Sequence, residues 1–242
     1  MDQNKPVEQG TSAFARLSRG DFWVRVGAGI VMAVLAIGAA WAGGLVFQVF
    51  WIGAAILIFW EWTKIVASSP SRLSWLVLGL VYALAAGAAP IALRQSADFG
   101  FVAIVFLFAV VWTTDIGGYV VGRIFGGPKI WPAVSPKKTW SGTIGGIASA
   151  IIVGSLVAIA SGLGLAHAWL IAALLSIVSQ GGDFLESAIK RNFGVKDASN
   201  IIPGHGGVMD RLDGFIAAAL VAALIGIARG GWVNPGRGLL VW

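Results

Sequence analysis

Seven stretches of this chain are apolar and long enough to cross a bilayer, at about residues 24–41, 43–65, 73–93, 99–122, 140–163, 166–189 and 214–229. A helix needs roughly 20 apolar residues to span the hydrocarbon, and in lipid it must satisfy its backbone polar groups within the segment. The chain is therefore predicted to be an all-α polytopic membrane bundle of about seven transmembrane helices. Composition agrees, with 57% hydrophobic and 12% charged residues, against about half and a quarter in soluble domains.

Residues 1–21 read as a polar tail, and 22–242 as a single transmembrane catalytic domain. Gly43–Gly44 is the expected turn between the first two spans. A cleaved signal peptide over 1–42 would have an unusually long polar leader and would remove a span, so this segment is expected to stay. With the N-terminus cytoplasmic, 14 of the 17 Lys and Arg fall on the inner side, leaving only Arg94, Arg229 and Arg237 outside. The positive-inside rule selects that orientation. It puts both long loops, near 123–139 and 190–213, on the cytoplasmic face.

The net charge of +6 follows from this loop bias and from contact with anionic lipid. No basic, aromatic-interleaved patch outside the spans points to nucleic acid. With no Cys and only His167 and His205, disulfides, thiolate chemistry and a His-rich metal cage are excluded.

An acid inside a span is a candidate functional residue. Asp115, in Trp112-Thr-Thr-Asp-Ile-Gly-Gly-Tyr119, shares a helical stripe with Trp112, Tyr119 and Arg123. The alternative for Asp115 is a packing hydrogen bond between helices. Glu61 and Lys64 read as an interfacial ion pair. Asp183, Glu186, Ser187 and Lys190 make one polar helix face; a Glu186–Lys190 pair accounts for two of them and leaves Asp183 over.

Downstream lies Ile202-Pro-Gly-His-Gly-Gly-Val-Met-Asp-Arg-Leu-Asp213. Its glycines permit a loop whose N–H groups face phosphate. Asp210 and Asp213, three apart, repel each other unless a cation lies between them, and Mg²⁺ takes such oxygen ligands. A helix cap explains one acid, not both. Ser135-Pro-Lys-Lys-Thr-Trp140 could grip a polyphosphate or merely anchor the chain at the membrane. Together the two loops carry the equipment of metal-assisted phosphoryl or nucleotidyl transfer.

Ser187-Ala-Ile-Lys-Arg, then Lys196-Asp197, then Pro203-Gly-His-Gly-Gly-Val-Met-Asp-Arg-Leu-Asp213 resembles the signature of phosphatidate cytidylyltransferases (CDP-diacylglycerol synthases). Gly182–Ser187, Ser135–Trp140 and Trp112–Tyr119 also look like family segments, so the likeness runs over about 112–214. Two positions depart from it: Ser141 where the family usually has an acid, and Ile116-Gly117-Gly118 where it has a hydroxyl residue and then Gly-Ala.

The resemblance implies transfer of the cytidylyl group of CTP to phosphatidate in phospholipid biosynthesis. It implies Asp183, Asp210 and Asp213 as ligands of Mg²⁺, with a second cation such as K⁺ beside it. Lys196, Arg211 and His205 join those acids as catalytic candidates, His205 as a phosphate or loop ligand. Lys137, Lys138, Ser135, Thr139, Lys190, Arg191, Asp115, Gly206 and Gly207 are the substrate-binding candidates. The expected partners are CTP, phosphatidate, membrane lipids and a second copy of the chain in a homodimer. The expected location is a bacterial inner membrane, with the site facing the cytoplasm. The rivals are a CTP-dependent polyprenol or dolichol kinase and an ion-coupled transporter. Against the transporter, the acids gather at one face and no inverted repeat is seen.

Overall fold

The computed structural model describes residues 19–241. It is a helical bundle of α1 (Arg19–Ala42), α2 (Gly44–Ile65), α3 (Arg72–Arg94), α4 (Gly100–Phe125), α5 (Trp140–Ala160), α6 (Leu165–Asn192), α7 (Met209–Gly230) and the short α8 (Pro235–Leu240). Six of these, α2 to α7, are long and apolar enough to cross a membrane, while the apolar part of α1, Val26–Ala42, is shorter. The chain is a polytopic membrane helical protein. Most of the predicted tail lies outside the described residues, but α1 already begins at Arg19.

The turn between α1 and α2 is made by Gly43 and Gly44, both at positive φ (+63° and +49°), where a side chain would be strained. Successive helices alternate in direction, as facing pairs such as Gly79 on Trp62, Gly146 on Thr114, Gly154 on Ala172 and Gly214 on Ser179 show. One end of the bundle therefore collects the starts of α1, α3, α5 and α7 and the ends of α2, α4 and α6. The opposite end is closed by α8, whose Gly236 N–H donates to Ser96 Oγ (2.7 Å). There Arg94 also donates to the Ala40 carbonyl (2.7 Å).

Small residues set the helix spacing. A Cβ on Gly118 would lie 3.3 Å from the Gly142 carbonyl oxygen, and one on Gly146 would lie 2.7 Å from that of Thr114. A side chain at Gly146 would meet the backbone of α4, and one at Gly118 would require its neighbour to give by a few tenths of an ångström, so the glycines set how closely α4 and α5 approach. Gly214 likewise lets α7 lie on Ser179 of α6. In lipid, where apolar side chains gain little by leaving the solvent, this packing is what joins helices. Large side chains such as Val31, Leu45, Val49 and Ile152 point outward. Inside, Trp51 stacks on Phe215 (centroids 5.0 Å apart), and Phe108 packs on the same ring.

The fold departs from an all-α reading at one place. Within the predicted loop 123–139, β1 (Lys129–Trp131) pairs antiparallel with β2 (Ser135–Thr139), Lys129 opposite Thr139 and Trp131 opposite Ser135. Pro132 and Pro136 forbid a helix here, and strands this short leave no readable periodicity.

Ser96 is buried and Ser199 is hydrogen-bonded, so side-specific labelling is better aimed at exposed neighbours. Cysteines placed singly at Ala133, Asn200 and Ala97, all exposed, should react with an impermeant maleimide from one side for the first two and from the other for Ala97. Labelling of Ala133 and Asn200 from opposite sides would break the shared end.

Candidate active site

The hairpin closes over the end of α4 and leaves a cavity of about 430 Å³. Its base is fastened by hydroxyls. Thr139 is the N-cap of α5 and accepts from the Gly142 N–H (3.1 Å), while the Ser141 hydroxyl donates to the Gly126 carbonyl. An acid at 141 would put a carboxylate against that carbonyl; serine supplies the donor instead. Thr139 is thus a cap as well as a lining residue.

Arg123, Lys129, Lys137 and Lys138 bring four cations to the cavity, with Asp115 and Asp183 beneath them. Lys138 is ion-paired with Asp183, and its ammonium lies 4.5 Å from the Phe184 ring centre. Asp183 also accepts from Ser187 (3.5 Å). Asp213, one turn into α7, accepts from the Gly214 N–H (2.7 Å) and lies within electrostatic reach of Asp183, Glu186 and Asp115. Arg211 is exposed at the start of α7, close enough to attract Asp115. Of the α4 stripe, Tyr119 and Arg123 hydrogen-bond each other (2.9 Å), whereas Trp112 stacks on Phe108.

The other candidates do not line this cavity. Lys190 is sealed between Glu186 (2.8 Å) and Asp210 (2.6 Å). Asp210 also accepts from the amides of Ala198 (2.9 Å) and Gly207 (2.8 Å). The Lys190 ammonium and the Gly207 amide, both substrate-binding candidates, thus serve Asp210. Arg191 donates to the Val195 carbonyl (3.2 Å) and ties off the end of α6. Ser135 is held in the hairpin register and does not line the cavity. Lys196 is exposed on the loop. Gly206 has φ +86° and closes a small bridge with Ile202. The Nδ1 of half-buried His205 has no hydrogen-bond partner among the described residues.

Sequence reasoning missed several participants. Glu61 is not paired with Lys64, which lies on the Trp60 ring (3.4 Å); it is fully buried against the start of α7. Gln180 and Thr143 line the cavity. A lone amide or acid in an apolar span was the available signal for Gln180 and Glu61. Lys129 carried none.

The structure does not assemble the three-acid set Asp183, Asp210 and Asp213. Among the described residues no three of His, Cys, Asp or Glu group so as to hold a metal ion. Three residues along a helix rotate a side chain by about 60° from its neighbour's direction; Asp210 meets Lys190, while Asp213 lies within electrostatic reach of Asp183. Mg²⁺ is commonly held by one or two carboxylates, with substrate phosphates completing its shell. Asp183, which lines the cavity, and Asp213 near it fit that arrangement.

The cytidylyltransferase family model matches residues 69–227, and the chain belongs to this family. Over 251 aligned positions it is 39% identical to a phosphatidate cytidylyltransferase of Brucella suis biovar 1 (strain 1330), covering 84% of this chain and 92% of the relative. It is 47% identical over 116 positions to one from Staphylococcus saprophyticus (47% of this chain, 44% of the relative). It is 41% identical over 128 positions to one from Bacillus subtilis (strain 168) (52% and 48%). The last two alignments cover about half the chain, whereas the Brucella likeness runs over most of both proteins.

Replacing Lys190 by Met leaves Glu186 and Asp210 buried without their cation. Breaking a buried pair in this way costs about 3–5 kcal/mol, so the Tm of the detergent-solubilised protein should fall sharply. Lys137→Met, on an exposed side chain, should leave it within about 0.5 kcal/mol. Equal melting of both variants would mean that Lys190 is not structural.

Proposed function

We propose that this protein transfers the cytidylyl group of CTP to phosphatidate, releasing pyrophosphate and leaving CDP-diacylglycerol in the membrane. One observation carries the reading: four cations ring two carboxylates in a cavity at one end of the bundle, in a chain like phosphatidate cytidylyltransferases over most of its length. The 14 basic residues on the same side support a site facing the cytoplasm, and the bacterial relatives support an inner membrane. A phosphate oxygen of phosphatidate attacks the α-phosphorus of CTP in line as pyrophosphate leaves.

Such a reaction rests on positioning and on neutralising charge. Lys129, Lys137 and Lys138 hold the triphosphate, and Arg123 and Arg211 hold phosphate at either side. The Lys138–Asp183 pair loosens as phosphate takes the ammonium. Asp183 and Asp213 would hold Mg²⁺, which when bound supplies neutralisation of phosphate oxygens. Ionised phosphatidate needs no base, so His205 has no proton to remove.

Purified protein given CTP, Mg²⁺ and either phosphatidate or a polyprenol should make CDP-diacylglycerol and pyrophosphate from the first alone. A phosphorylated polyprenol with CDP would support the kinase instead. Asp183→Asn and Asp213→Asn should each lower kcat/KM by about a thousandfold, or about 4 kcal/mol. Raised Mg²⁺ should restore part of the activity, and Tm should be unchanged. Asp210→Asn should lose Tm as well. Near-normal turnover in Asp183→Asn and Asp213→Asn would remove the acids from the site.

Lys138→Ala should raise the KM for CTP more than that for phosphatidate, because a phosphate-binding cation is mostly a ground-state contact. Unchanged CTP kinetics in Lys138→Ala and in Lys137→Ala would return the hairpin lysines to membrane anchoring.

A further inference from the structure

Glu61 is the single acid of α2, and its side chain is fully buried. A carboxylate in that position needs strong donors, and among the described residues no cation supplies them. It accepts instead from the Ser199 hydroxyl (2.5 Å), the Val208 N–H (2.9 Å) and the Met209 N–H (2.7 Å). Val208 and Met209 are the N-cap and first residue of α7, so their amides have no partner within the helix. The positive end of the helix dipole adds to the attraction. Glu61 is thus a cap delivered to α7 from a helix about 140 residues earlier in the chain.

The loop before α7 is gripped from its other side by Asp210, through the amides of Ala198 and Gly207. The two carboxylates explain the paired glycines. A Cβ on Gly207 would lie 2.9 Å from Glu61 Oε2, and one on Gly206 would lie 2.7 Å from Asp210 Oδ2. Each acid occupies the space where a side chain would have been. Arg211 and Asp213 follow within the next turn, so the backbone that Glu61 fixes is the backbone that aims them.

We infer that Glu61 is a positioning residue: by capping α7 from α2 it sets the placement of Asp213 and Arg211 without touching substrate. This rests on the cytidylyl-transfer reading. It adds that α2, outside the family-matched segment 69–227, supplies a part the site needs. A misplacement of about 1 Å at a reacting group can lower the rate about a hundredfold.

The test uses the full chain carrying Glu61→Gln, which keeps size but points an amide donor at backbone donors. Its kcat should fall roughly 10- to 100-fold while the KM values for CTP and phosphatidate change less than threefold. Combined with Asp213→Asn and followed with radiolabelled CTP, the loss in the double variant should be much smaller than the product of the two single losses, because one residue acts through the other. Arg94→Met, at the opposite end, is the control for a merely structural loss: Tm falls and kcat stays within about twofold.

Hydrogen exchange gives a readout without turnover. Glu61→Gln should speed exchange at Val208 and Met209. Unchanged exchange would overturn the cap. Normal kcat, or losses that multiply fully with Asp213→Asn, would overturn the positioning role. If the parent chain made no CDP-diacylglycerol while exchange at these amides still rose, the reaction assignment would fail and the cap would stand.

Discussion

Asp210 accepts from the Lys190 ammonium and two backbone amides, and Glu61 accepts from two more amides and a hydroxyl. Both carboxylates are buried at one end of a bundle whose outer surface is apolar. Water cannot compensate them there, and an uncompensated charge in such surroundings is severely destabilising. The donors must come from the protein, and most come from the 16 residues between α6 and α7. That demand turns a glycine-rich segment into a defined loop and gives α7 a fixed starting point. The placement of Arg211 and Asp213 depends on it.

The cavity rests on a different constraint, the distance between helix axes. Gly118, Gly142 and Gly146 let α4 and α5 come together, and Gly214 does the same for α6 and α7. Asp115, Asp183 and Asp213 come from three different helices and can share one region only because those helices are so near. The hairpin then places its lysines above the acids. Four cations over two carboxylates leave the cavity with an excess of positive charge, which in the proposed reaction meets a polyphosphate. The buried Lys190 is instead already matched by two carboxylates.

Much of this was legible beforehand. Six of the seven expected spans, the Gly43–Gly44 turn and the gathering of polar residues at one end follow from hydropathy and helical period. Asp183 was marked by standing inside a span without a local partner. Other features left little trace. Nothing local distinguishes the strand Lys129–Trp131 from loop. Glu61 sits three residues from Lys64, so a local ion pair was the natural reading, yet the lysine turned to Trp60 and the acid turned inward. Gly207 read as a phosphate-binding amide because a glycine's freedom is visible in sequence and its hydrogen-bond acceptor is not.

The sequence by itself determined the class of fold, the end of the bundle where polar side chains gather, and the inventory of acids and cations there. These depend on composition and on periods within single segments. Only the tertiary structure decided which charges meet. It sent Asp210 to Lys190 and left Asp213 within electrostatic reach of Asp183, although the two are three residues apart in one helix. It also gave the cap of α7 to a residue of α2. Helical period fixes the direction of a side chain about its own axis, but what stands across from it is set by how closely, and in what order, the other helices pack.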